Sequence, residues 1–222
     1  MGEIVHFPSN GDAGQGYLAG SEGAGVVVIQ EWWGLVDHIK DVCDRFAEAG
    51  FVALAPDLYR GKATREPDEA AKEMMALRLD QAAKDMGGAV DELERRTGRQ
   101  AVGVIGFCMG GGLALVLAAQ RPDAVKAVVP CYGVIPWPDA QPDYSRIGAA
   151  IEGHYAELDE SAPPEAVRAL ETQLRDLGKE VRMVVHPHTE HAFFNDTRPE
   201  VYDASEADAL WISVVDFFRA KL

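Results

Sequence analysis

Between an apolar run at 101–105 and a stretch of small residues at 110–120, the chain reads Gly106-Phe107-Cys108-Met109-Gly110, followed by Gly111 and Gly112. A strand that turns this sharply into a helix forces its central residue into a strained backbone, and neighbours without a Cβ relieve the crowding. The pattern is Gly-x-nucleophile-x-Gly, with cysteine where serine is more usual. It predicts a Cys108 sulfur projecting above the carboxyl end of a parallel sheet. The Met109 amide opens the helix and can donate to an oxyanion, and the helix N-terminus favours an anionic sulfur. The structural alternative is a buried cysteine at a glycine-rich junction that binds phosphate; the flanking elements and the partners downstream favour the nucleophile.

The rest of the chain places this turn in an α/β frame. Segments 3–7 and 15–19, separated by Ser9-Asn10-Gly11-Asp12, predict an opening hairpin. The run Gly25-Val26-Val27-Val28-Ile29-Gln30 is continuous and β-branched, the pattern of a strand buried on both faces. Helical spacing of Val36, Ile39, Val42, Cys43 and Phe46 follows, and Gly50 stops it. A strand at 51–55 is expected to break at Pro56. The polar stretch 66–96 predicts one or two helices starting near Pro67 and interrupted at Gly87-Gly88. Further strands are expected at 101–105, 124–130, 147–152 and 181–186, and helices at 110–120, 163–177 and 204–222. Strand and helix alternating at this frequency imply one α/β domain over 1–222, a mostly parallel sheet with helices on both faces. The Pro-rich segment 136–142 reads as a loop, a candidate lid over a pocket.

In such a fold the nucleophile is followed by an acid and then a histidine. His6 and His38 precede the turn, and His154 precedes the expected acid. His191, in Thr189-Glu190-His191-Ala192-Phe193-Phe194, lies far enough past the last strand to reach the nucleophile. The cluster His186-x-His188-x-x-His191 also has the residue type for zinc. That reading leaves the turn unexplained and finds no matching Asp/His-rich segment earlier, so no metal or cofactor is expected, and His186 and His188 read as packed or solvated. For the acid, Asp159, Glu157 and Glu160 all follow the strand candidate, and position alone leaves them open. Cys43 and Cys131 read as packing residues.

Composition bounds the function. Of 222 residues, 47% are hydrophobic and 26% charged, which are globular values. The formal charge of −15 disfavours nucleic acid and anionic lipid as partners, and no apolar run is long enough to cross a bilayer. Three cysteines without framework spacing, and an N-terminus lacking a signal-peptide layout, predict a cytoplasmic protein. An anionic substrate would need a basic group close to the site.

Four motifs together, Gly106-Phe107-Cys108-Met109-Gly110-Gly111, Gln30-Glu31-Trp32-Trp33-Gly34, His154-Tyr155-x-x-x-Asp159 and Glu190-His191-Ala192-Phe193, resemble the dienelactone hydrolase (carboxymethylenebutenolidase) family in order and spacing over nearly the whole chain. The resemblance implies the α/β-hydrolase fold, hydrolysis of a small ester or lactone, and Cys108, Asp159 and His191 as a triad. It assigns Glu31 the role of holding the resting thiol neutral and turned aside, then helping to deprotonate it, and makes the Trp32 amide the second oxyanion donor beside Met109. Family arginines bind a substrate carboxylate, one of them four residues past the histidine; here that place is Asn195. Arg198 and Arg60, the latter in Pro56-Asp57-Leu58-Tyr59-Arg60-Gly61, are candidate substitutes, and Trp33, Tyr59, Tyr132, Trp137 and Phe194 are candidate substrate contacts. A general carboxylesterase or thioesterase of the same fold, and a non-catalytic binding module, are the alternatives.

Overall fold

Asn10 and Gly11, at φ 44° and 95°, form the tight turn that joins two antiparallel strands, β1 (Glu3–Ser9) and β2 (Asp12–Ala19). Positive φ at both central positions matches the twist of a two-residue hairpin, which Asn-Gly adopts at low cost. A computed structural model describes residues 1–133, 135, 137 and 140–222, and the chain falls into two units, Met1–Val104 and Ile105–Leu222.

In the first unit the strand order is β1-β2-β4-β3, with β3 (Gly25–Ile29) parallel to β4 (Val52–Pro56) and β2 antiparallel to it. Every residue of β3 and β4 is buried, as continuous apolar runs require. Helix α1 (Asp37–Glu48) packs on β2, β3 and β4 through Ile39, Val42, Cys43 and Phe46. Two further helices follow, α2 (Pro67–Met75) and α3 (Leu79–Thr97).

Strand β5 (Val102–Phe107) carries the chain across the division. In the second unit β6 (Val125–Cys131), β7 (Ala150–Ala156) and β8 (Val181–His186) are successive parallel strands. Helix α4 (Met109–Gln120) packs on β6, α5 (Pro164–Asp176) on β7 and β8, and α6 (Ala204–Lys221) on β6 and β7. No described helix is long and apolar enough to cross a membrane.

Three expectations need correction. The helical stretch is broken at 76–78, and α3 runs unbroken through Gly87 and Gly88. Gly88 is there because a Cβ would strike the Pro8 carbonyl oxygen and the Phe7 ring; the glycine permits close approach of the hairpin and does not end the helix. The strand expected at 147–152 is displaced to Ala150–Ala156, because Tyr144–Arg146 forms a 3-10 turn that Ile147 caps. Pro56 does not break the strand but is its last residue, paired with Gly16 of β2. The Pro-rich segment 136–142 falls partly outside the described residues.

The two adjacent helical glycines should respond with opposite sign. Gly87→Ala, with open space at its Cβ, should stabilise by about 0.5–1 kcal/mol, as expected for alanine in a helix interior. Gly88→Ala should lower the urea midpoint of unfolding, since the backbone of the hairpin must shift to admit the methyl.

Candidate active site

Cys108 stands between β5 and α4 with φ 54° and ψ −121°, a conformation costly for a residue with a side chain. Its amide donates to the Cys131 carbonyl at 3.0 Å, and its carbonyl accepts from Gly111 N at 2.9 Å. Both backbone groups are therefore spent in holding the turn. The glycines are required by space: a Cβ at Gly106 would strike the Gly110 carbonyl oxygen, one at Gly111 would meet Gly133, and one at Gly133 would strike the Cys108 carbonyl oxygen. As N-cap of α4 Cys108 makes no side-chain cap hydrogen bond, so the sulfur is not occupied by the helix end, and Met109 is the first helical residue.

Asp159 follows β7 and is buried. Its Oδ1 accepts from the amides of Ser161 at 2.8 Å and Ala162 at 3.0 Å, and its Oδ2 faces His191 Nδ1 at 2.7 Å. Burial works against the charged carboxylate, but the His191 hydrogen bond, the His191 charge and the two amides prevail and hold Asp159 below the usual carboxylate range. His191 is brought up by a loop whose first residues are tied to the acid loop: Glu157 N donates to the His186 carbonyl at 3.0 Å and Leu158 N to that of Thr189 at 2.9 Å. Burial opposes the imidazolium, yet hydrogen bonds to Asp159 and then to Cys108, with the charges of both, push His191 up to about 10. The second unit thus brings Cys108, His191 and Asp159 into one hydrogen-bonded series. The Tyr132 ring, at φ 35°, stands edge-on to His191 at 5.3 Å, and Phe107 stacks on Phe194 at 5.3 Å, walling the histidine loop.

The other candidates belong to both units. Glu31, 1% exposed, and Trp32 follow β3 in the first unit, where Trp33 packs edge-on against Trp32 at 5.0 Å. Arg60 is held by two carboxylates, Asp12 at 3.0 Å and Asp85 at 3.2 Å, and with Tyr59 borders a recess of the first unit. Arg198 pairs with Glu200 at 2.9 Å, while buried Asn195 accepts from the amide and hydroxyl of Thr197 at 3.1 and 2.7 Å. Tyr132, Phe194 and Trp137 are buried, and none lines the 330 Å³ cavity beside α4, which Leu115, Tyr144, Tyr155 and Val167 border. The three clustered histidines have separate surroundings: His186 is buried against His154 and Glu206, His188 is 91% exposed, and His191 faces Asp159. Sequence reading missed that His154 and His186 touch, because the contact lies across neighbouring strands; same-face spacing of Glu152 and His154 was the available signal.

The raised pKa of His191 implies a pH window. A histidine raised above its unfolded value contributes stability fully present below about 6.5 and lost as pH rises through about 10. Asp159, depressed, contributes above the unfolded carboxylate value and loses its contribution as pH falls. Because Cys108 supplies part of the rise, Cys108→Ser should move the His191 titration to lower pH, read from its imidazole carbon-bound proton by NMR. An unmoved midpoint would mean that sulfur and imidazole do not interact.

Comparison with known proteins identifies the family. The model of the "Dienelactone hydrolase family" matches residues 15–222. "Protein usf" of Aquifex pyrophilus is 39% identical, and "Putative carboxymethylenebutenolidase" of Aquifex aeolicus 37%, each over all of both chains. Among solved structures, "Putative Dienelactone Hydrolase" of Klebsiella pneumoniae covers 99% of this chain and 98% of its own at 27% identity, with a TM-score of 0.88. The chain therefore has the α/β-hydrolase fold, belongs to the dienelactone hydrolase family, and is a hydrolase acting on carboxylic ester or lactone bonds.

Proposed function

We propose that this protein hydrolyses a small lactone or ester through an acyl-thioester on Cys108. The observation that carries the reading is the series Asp159–His191–Cys108, in which a half-buried imidazole is oriented by a buried carboxylate on one side and hydrogen-bonded to sulfur on the other. The Cys108 thiolate attacks the carbonyl carbon, forming the C–S bond and moving the π electrons onto oxygen. The Met109 amide, at the N-terminus of α4, donates to that oxyanion; the family pattern adds the Trp32 amide. Collapse breaks the C–O bond, and the leaving alkoxide or enolate takes the proton held by His191. His191 then removes a proton from water, whose oxygen attacks the thioester; the thiolate leaves and the carboxylic acid is released. Glu31 has the role of the resting-state partner of the thiol, on the strength of its motif and its burial.

The acyl group is read as uncharged. Asn195 stands where the resemblance puts a carboxylate-binding arginine, Arg60 and Arg198 are paired with carboxylates, and the chain carries a net charge of −15. Partners are accordingly a small-molecule ester or lactone, not nucleic acid or a membrane surface.

Cys108→Ala should abolish turnover of aryl esters and dienelactone alike, and Asp159→Asn should cut kcat by about 10²–10⁴-fold. Mass spectrometry after trapping with a slowly hydrolysed ester should find the added acyl mass on the peptide holding Cys108. Undiminished hydrolysis by Cys108→Ala would falsify the nucleophile assignment. Turnover of aryl esters without dienelactone would make the enzyme a general carboxylesterase.

A further inference from the structure

Beneath the histidine loop lies a second chain of titratable groups, three buried and one a quarter exposed, that the proposed reaction does not use. Glu152 and His154 share one face of β7, His186 ends β8, and Glu206 lies in the first turn of α6. His154 Nε2 faces Glu152 Oε1 at 3.3 Å, His154 Nδ1 faces His186 Nε2 at 2.9 Å, and His186 Nδ1 faces Glu206 Oε2 at 2.7 Å. Both imidazoles are buried, at 1% and 3% exposure. Among the described residues, Arg182 of β8 and Ser213 of α6 also face the chain and donate to Glu152 at 3.2 and 2.7 Å.

Proton counting decides what this chain carries. Three contacts between nitrogen and oxygen or nitrogen and nitrogen need three protons to be hydrogen bonds, one for each. Two ionised carboxylates supply none and two neutral imidazoles supply two. Two neutral rings would leave one lone pair pointed at another, a costly arrangement at imidazoles as buried as these. Burial, the largest influence, together with the His186 charge depresses the pKa of His154 despite the Glu152 hydrogen bond, which gives it the neutral form with Nε2–H toward Glu152. Its Nδ1 is then an acceptor, His186 Nε2 must donate, and the third proton sits between His186 Nδ1 and Glu206.

The chain also touches the site. The His186 carbonyl accepts from Glu157 N at 3.0 Å and Thr189 Oγ1 at 2.9 Å, at the start of the loops bearing Asp159 and His191. The His154 carbonyl accepts from Tyr132 N at 2.6 Å, and the Tyr132 ring flanks His191. The His186 ring packs on Phe193 at 4.7 Å, whose carbonyl accepts from Asp203 N, the N-cap of α6.

We propose that Glu152, His154, His186 and Glu206 form a brace holding one proton beyond those of two neutral imidazoles, and that this proton positions the loops carrying Asp159 and His191. As pH rises and the proton leaves, one of three hydrogen bonds is lost, and the junction of β8, α6 and the histidine loop loosens. His154 and His186 are positioning residues, acting through backbone. The kinetic half of this proposal rests on His191 serving as the base; the proton count does not.

The test is a nitrogen-15 NMR titration of histidine-labelled protein between about pH 6 and 9, paired with kcat and KM over the same range. At neutral pH, three ring protons are expected over His154 and His186, with His186 Nδ1 protonated or sharing its proton with Glu206. Their loss should coincide with a fall in kcat at unchanged KM. Glu206→Gln keeps an accepting oxygen but removes the charge, so it should lower the midpoint and the alkaline limb of kcat together, by about tenfold or more in proton affinity, with kcat on the acid side within about twofold. Two singly protonated rings across the range, with Glu206 ionised by its carboxyl carbon-13 shift, would overturn the proposal, as would a shifted titration with an unshifted kcat profile. If Glu206→Gln does not fold, the titration of the parent protein decides. A brace proton seen by NMR in a protein whose Cys108→Ala variant remains active would fault the catalytic reading and leave the proton count intact.

Discussion

The carbonyl of Cys131 accepting the amide of Cys108 is the contact on which the site turns. It draws the strained residue between β5 and α4 onto the end of the neighbouring strand, so the cost of its backbone conformation is met by packing. Gly111 and Gly133 allow the approach, because any side chain at either position would separate the helix from β6. Tyr132, the residue after Cys131, is pinned at positive φ by its own bond to the His154 carbonyl and presents its ring to His191. Strain at the candidate nucleophile and the wall of the candidate base are thus two ends of one short segment.

Electrostatics then sorts the acid and the base. Asp159 is buried, yet stays ionised because three donors face it; His191 is half-buried, yet favours its proton because a carboxylate and a sulfur face it. Burial alone would neutralise both groups, so the ion pair exists only through geometry. The same reasoning applies to His154 and His186, where the burial of both rings makes the number of available protons, and not their average affinity, the controlling quantity.

Much of this was legible in one dimension. The continuous β-branched run locates β3, Asn10-Gly11 locates the hairpin, and the order cysteine, acid, histidine locates the triad candidates. Reading failed where a residue's reason lies across the fold. Gly88 looks like a helix breaker because its neighbour Pro8 is eighty residues away in sequence. The strand expected at 147–152 was misplaced because a 3-10 turn takes up the residues before it. Arg60 looked available for a substrate, and its two carboxylate partners come from the hairpin and from α3.

The sequence by itself determined the class of architecture, the turn that strains Cys108, and the family to which the chain belongs, because periodicity, glycine placement and motif order are local or sequential properties. Only the tertiary structure decided that Asp159 faces His191, that Asn195 turns inward on its own loop, and that two histidines thirty-two residues apart share a hydrogen bond. Those facts depend on which side chains meet across parallel strands and what solvent is excluded between them. Contact and desolvation are products of packing, and packing is not written in any single segment.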